Sequence, residues 1–203
     1  MKLLRKAIKE YKKTNKTRAE HFYKLLQATV EEYHNRDSLA YVNQVTGSAV
    51  NSTVNMVEDR IMALTDQLKS LFVELQADKM EFKKLGISFQ EKAFYDILIE
   101  VRDNAEPPFE YPNEKCIELD KKIKKLVDDS SLYADWLNNS KVRDRLANQL
   151  TKLFWKNGYP PQWDGVVFEK VLEQVENFKE NSYSQPCGYD YPYSDTPSIA
   201  AEP

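Results

Sequence analysis

The chain has 203 residues, 41% of them apolar and 30% charged, with a formal net charge of -3, only 5 Gly and 2 Cys. That length holds one ordinary domain with at most an extended arm, the few glycines argue against a fold rich in tight hairpins, and Cys116 and Cys187 lie too far apart to suggest a disulfide framework. No apolar run nears the roughly 18–20 residues of a bilayer span, and the start is charged from Lys2 onward, unlike a signal peptide, so no membrane contact and a cytoplasmic location are expected. The charge is uneven: residues 1–24 hold nine Lys/Arg against Glu10 and Glu20, a local +7, whereas residues 181–203 hold Asp190, Asp195 and Glu202 and no cation.

A first helix is expected from near Leu3 to Asn35, with Thr14–Thr17 the place where an interruption would fall; Ala19, Phe22, Leu26, Val30 and Tyr33 give its second half one apolar face. Residues 36–52 are hard to read, because Thr46, Gly47 and Ser48 weaken a helical pattern. From Val54 the apolar positions step by three and four through Val57, Ile61, Leu64, Leu68, Leu71 and Leu75 to Phe82 and Leu85, a heptad seam broken only at Asp78. About 32 residues at 1.5 Å each make a rod of roughly 48 Å. A rod so one-sided needs a cover, and the first helix, returning antiparallel, is the expected one. At Leu85 the pattern stops. Gly86 can close the rod in the left-handed conformation, and Ser88 with Glu91 has capping-box spacing for a new helix. That helix is apolar at Phe89, Ala93, Phe94, Ile97, Leu98 and Val101. A loop with three prolines follows, then helices near 113–128, 140–157 and 164–180. Gly158 closes the second of these, Pro160 and Pro161 stop its continuation, and Asp164 can cap the third. Residues 182–203 are rich in Pro, Ser and Tyr and read as a flexible acidic tail after a helical domain over 1–181. The expected fold is all-α: an elongated helical bundle with a long coiled-coil-like antiparallel pair, followed by a compact cluster of shorter helices.

Catalytic patterns are scarce. No glycine precedes Lys-Ser/Thr, so there is no phosphate-wrapping loop. Glu81-Phe82-Lys83 and Asp120-Lys121-Lys122 have the acid-x-Lys spacing of metal-dependent nucleases, yet both fall in helical stretches and read as solvated helix faces. Glu31 and His34 form one Glu-x-x-His unit where a di-iron bundle needs two, because His21 has Arg18 at the matching place; His34 reads as a surface residue. The cysteines lack zinc-finger spacing. No catalytic, cofactor-binding or metal-binding residue is therefore assigned. Lys9, Lys12, Lys13, Lys16 and Arg18 are candidate contacts to DNA phosphates or to a partner, against the plainer reading of a solvated helix face. Trp136, Trp155, Trp163 and Tyr159 suggest either a stacking platform for bases or, more in keeping with their place beside helix ends, core plugs.

The stretch LGISFQEKAFYDILIEVRD (85–103) resembles a signature corner in the C-terminal region of the R subunits of type I restriction enzymes. EYKKTNKTRAEHFYKLL (10–26), YADWLNNSKVRDRLANQLTKLFWKNGYPP (133–161) and VLEQVENFKEN (171–181) agree in the same order, so the likeness runs from about Leu4 to Asn181. The resemblance marks Gly86, Phe94, Tyr95, Asp96, Trp136, Gly158, Tyr159, Pro160 and Pro161 as structural signature positions. Such R subunits are ATP-driven DNA translocases and endonucleases with an N-terminal nuclease and two motor domains. The resemblance implies that this chain corresponds to the last, noncatalytic part, which docks the rest of the R subunit onto the methyltransferase and specificity subunits. ATP and Mg would then be bound elsewhere in the whole enzyme. An alternative is that the basic arm helps hold double-stranded DNA. Met1 falls where such subunits are mid-helix, so a fragment or truncated reading frame is expected. Tyr33-His34-Asn35-Arg36 stands where the family usually has YNNR, a small departure.

Overall fold

Thr14 and Asn15 are where the first helical run breaks. The Thr14 hydroxyl donates to the Tyr11 carbonyl at 3.0 Å, and the Asn15 side-chain oxygen accepts from the Arg18 N–H at 3.0 Å. Side chains that bond their own backbone in this way end one helix and cap the next. The helix expected over Leu3–Asn35 is therefore interrupted where Thr14–Thr17 marked the possible break, giving α1 (Lys2–Lys12) and α2 (Lys16–Gln44). α2 also extends beyond Asn35, through part of the stretch that was hard to read.

The computed structural model describes residues 1–44, 50–131, 138–160 and 163–181. The expectations for Gly47, Trp136, Pro161 and the tail 182–203 lie outside the described residues. The remaining helices are α3 (Val50–Leu85), α4 (Phe89–Asp103), α5 (Asn113–Ser131), α6 (Ser140–Asn157) and α7 (Asp164–Asn181), with no strand among the described residues. The fold is all-α. α3 starts at Val50 rather than Val54, and at 36 residues it is about 54 Å long. α7 begins at Asp164, and the capping expected of that side chain lies outside what is described.

Two hydrophobic cores follow from the apolar stripes. In the first, Leu4, Ile8 and Tyr11 of α1 close over Ala19, Phe22 and Leu26 of α2 and Leu71 and Leu75 of α3. α2 and α3 thus run antiparallel, as their seam requires. The second core joins α4, α5, α6 and α7 through Phe94, Leu98, Leu119, Ile123, Leu150 and Val171. α4 lies between the two, packed on α2, α3, α5 and α7. Every residue from Lys92 to Leu98 is consequently buried, charged ones included.

The corner between α3 and α4 forms as its residues dictate. Gly86 takes φ 67°, and the Ile87 N–H reaches back to the Phe82 carbonyl at 3.1 Å. Ser88 and Glu91 make both bonds of the capping box, at 3.2 and 2.7 Å. Gly158, at φ 71°, closes α6 in the same way: its own N–H bonds the Trp155 carbonyl and the Tyr159 N–H bonds the Phe154 carbonyl. No described helix is long and apolar enough to cross a membrane.

Candidate functional site

The heptad seam of α3 expects an apolar residue at position 78 and has aspartate. That substitution starts a charged junction between the two cores. Asp78 Oδ2 accepts from the Tyr11 hydroxyl at 2.6 Å, and Oδ1 meets Arg18 Nε at 3.0 Å and Nη2 at 2.9 Å. Lys92 of α4, 3% exposed, places Nζ 2.6 Å from both oxygens of Asp96, 2.9 Å from Glu81 and 3.7 Å from Asp78. Asn15 Nδ2 donates to Asp96 Oδ2 at 2.6 Å. Four helices and the α1–α2 turn thus meet on one set of charges. A lysine and an aspartate at i and i+4 would read from sequence as a surface pair; here α2 and α3 descend on that face and bury it.

The electrostatics follow from burial and opposite charge. Burial pulls the Lys92 ammonium down, but Asp96 and Asp78 more than offset this and hold it above the usual lysine range. Burial pushes the Asp96 carboxyl up to about 6, against the pull of Lys92, so at neutral pH the two form an ion pair. Beside this junction a crevice of 290 Å³ opens between α2 and α3, lined by residues including Arg18, His21, Phe22, Asp78, Glu81 and Lys84. His21 is held below the usual imidazole range by burial and then by Arg18.

A second polar set joins α7 to the turn between α1 and α2. Gln174 of α7 accepts from the Lys16 N–H at 2.9 Å and donates to the Thr14 carbonyl at 3.1 Å. Asn177 donates to the Lys12 and Lys13 carbonyls at 2.7 and 3.2 Å. Backbone groups orphaned where α1 stops and α2 starts are thereby satisfied by α7.

The candidate basic residues are placed as follows. Lys9 is exposed. Lys12 faces Glu20 at 3.6 Å, Lys13 faces Glu10 at 2.8 Å, Lys16 faces Glu173 at 2.8 Å, and Arg18 lies in the junction. Of the signature positions, Asp96 is in the junction and Phe94 is buried with its ring edge-on to Phe178 at 6.3 Å. Tyr95 is also buried. Tyr159 is the hub of an aromatic cluster, 5.2–5.4 Å from the rings of Tyr111, Phe109 and Phe154, and its hydroxyl donates to the Leu98 carbonyl at 3.2 Å. Pro160 is half-buried and its carbonyl accepts from the Trp163 N–H at 3.3 Å.

Two sequence expectations are corrected. Asp120 is not on a solvated face: α5 turns it into the core with no exposed surface, and among the described residues neither carboxyl oxygen has a hydrogen-bond partner. Trp155 is not a plug: it stands 74% exposed on α6, whereas Tyr159 is the residue that fills the core. Glu81 remains partly exposed, as expected of it, and His34 is exposed. Lys92, Gln174 and Asn177 were not singled out from sequence, and Asn15 only as part of the Thr14–Thr17 break. Asp78, the one polar break in an apolar seam, was the signal that could have found the junction.

No match was found among curated proteins or among solved structures. A family model does match, over residues 1–181, which is the span that ends with α7. Its description is the C-terminal part of type I restriction enzyme HindI endonuclease subunit-like proteins, and the chain belongs to that family.

Proposed function

We propose that this chain is a noncatalytic assembly module that docks the motor and nuclease subunit of a type I restriction enzyme onto its methyltransferase–specificity core, with α3 providing the contact face. One observation carries this reading. α3 spends its seam on α1 and α2, yet Met62, Phe72, Val73 and Met80, none of them a seam position, remain exposed, Met62 at 65% and Val73 at 66%. Met62 and Val73 are about three full turns apart, and Val73 and Met80 about two, so the three share a side of the helix. Apolar side chains aligned over such a length mark a partner surface rather than scattered exposure. The membership of the chain in a restriction-enzyme subunit family supports the choice of the methyltransferase and specificity subunits as its partners. On this reading ATP and Mg are bound elsewhere in the whole enzyme, and the complex works in the cytoplasm.

The alternative, that the basic arm holds duplex DNA, draws on the exposure of Lys9. Against it, Lys12, Lys13, Lys16 and Arg18 each already face a carboxylate that a phosphate would have to displace.

The test is capture of the chain by immobilised methyltransferase–specificity complex. Val73→Glu combined with Met62→Glu puts charge on an exposed face without touching either core, and should weaken capture at least tenfold while leaving the melting midpoint in place. Undiminished capture by this variant would remove α3 as the docking face.

A further inference from the structure

α6 buries Leu146, Leu150 and Phe154 and turns its opposite side outward. At about 100° per residue, Lys141, Arg145, Asn148, Lys152, Trp155 and Lys156 fall in one stripe roughly 100° wide, centred away from the buried face. All six are exposed. α6 carries five cations and a single acid, Asp144, a local +4 in a chain of net charge -3. At the C-terminal end of the stripe stands Trp155, 74% exposed. An indole left in water beside a row of cations lacks the apolar surroundings that usually hold it.

From this placement we infer that the outward face of α6 is a track for single-stranded nucleic acid, its lysines taking phosphates and Trp155 stacking on an unpaired base. Cations one and two turns apart rise about 6 and 10.5 Å along the axis, a spacing that an extended sugar–phosphate chain can follow. The Asn148 amide offers donors and an acceptor in the middle of the row. A duplex keeps its base faces stacked inside and gives the indole nothing to cover. An acidic protein would use the lysines alone. A strand with free base faces uses both features, which is how sequence-tolerant single-strand binding works. The inference is independent of the docking face on α3, since it uses a different helix.

The experiment titrates the whole chain against a labelled oligothymidylate of about 20 nucleotides, at several salt concentrations. Trp155→Ala should weaken binding about tenfold without changing the salt slope. Lys152→Gln with Lys156→Gln should lower that slope by roughly 1.4, because each phosphate of a single strand that goes unneutralised accounts for about 0.7. These side chains are exposed, so an unchanged thermal melt keeps the comparison clean. Three results would overturn the proposal: no oligothymidylate binding at low salt, full binding by Trp155→Ala, or displacement by polyglutamate or same-length duplex as effective as by unlabelled oligothymidylate.

Discussion

Asp120 occupies a core position of α5 between the fully buried Cys116 and Ile123, where an aliphatic residue would be expected. Burial, followed by the charge of Glu91, pushes its carboxyl up to about 8, with Lys121 drawing it back only in part. At neutral pH the folded protein therefore holds this group protonated, while the unfolded chain ionises it near the ordinary value of 3.8. A carboxyl whose pKa is raised on folding contributes most below the unfolded value, and the contribution drains away as pH climbs toward the folded one. The window for this loss is about pH 4 to 8. Each unit within it costs at most about 1.4 kcal/mol, so pH 5 to pH 8 removes up to about 4 kcal/mol. Asp120→Asn keeps the shape and abolishes the titration. Urea midpoints measured at pH 5 and pH 8 should fall with pH in the natural protein and much less in the variant; parallel profiles would mean that Asp120 has a normal carboxylate pKa.

The two corners, Gly86 and Gly158, show which features at the scale of an element can be read without a structure. Each helix stop is local: a residue in the left-handed region, a following apolar residue that returns a bond to the last turn, and in one case a capping box. Everything needed lies within ten residues of sequence at the first corner, Phe82 to Glu91, and within six at the second, Phe154 to Tyr159, so both corners were legible, as were the limits of α6. The break between α1 and α2 was only half legible, because Thr14 and Asn15 announce it but its stability rests on Gln174 and Asn177 far along the chain. At both glycines an added Cβ meets nothing within 4 Å, so a substitution is penalised through the backbone alone. Gly86→Ala and Gly158→Ala should each cost about 1–2 kcal/mol, the penalty for an L-residue with left-handed dihedrals. Gly165, in the first turn of α7 and with equally open surroundings, has no such conformation. Its change to alanine should instead be neutral or gain up to about 1 kcal/mol. Equilibrium denaturation of the three variants distinguishes the two cases by sign; a loss at Gly165 as large as at the corners would show that crowding, not dihedral angle, governs these sites.

At the scale of the whole molecule, the question is what makes two separate hydrophobic cores one body. The buried apolar residues form two separate sets, and the apolar link between them through α3 is limited to its last turn, where Phe82 and Leu85 pack against the second core. The boundary is held as well by Lys92 with Asp96, Asp78 and Glu81, and by the α7 bonds to the α1–α2 turn. Lys92 and Asp96 aside, these partners lie on different helices, and no periodicity within one helix can announce them, which is why the sequence foretold both helical units but not their joint. A buried ion pair is not by itself a large source of stability, because desolvating its members offsets much of their attraction. What it provides here is geometry: Asp96 and Asp78 are buried carboxylates, and the two cores must sit where Lys92 can reach both. Lys92→Met would leave that pair of negative charges together with only Arg18, Asn15 and Tyr11 to answer them. A cost of about 3–5 kcal/mol is expected, as for other buried pairs broken from one side. Adding Asp96→Leu removes the stranded charge and should restore part of the loss, since an apolar replacement of a whole pair is often tolerated. Hydrogen exchange resolves where the loss falls. If the charges join the cores, amides of α1 and of the first turns of α2 lose protection in Lys92→Met ahead of those in α5 and α6. Uniform loss across all helices would instead mean that the molecule unfolds as one unit and that the junction is no seam.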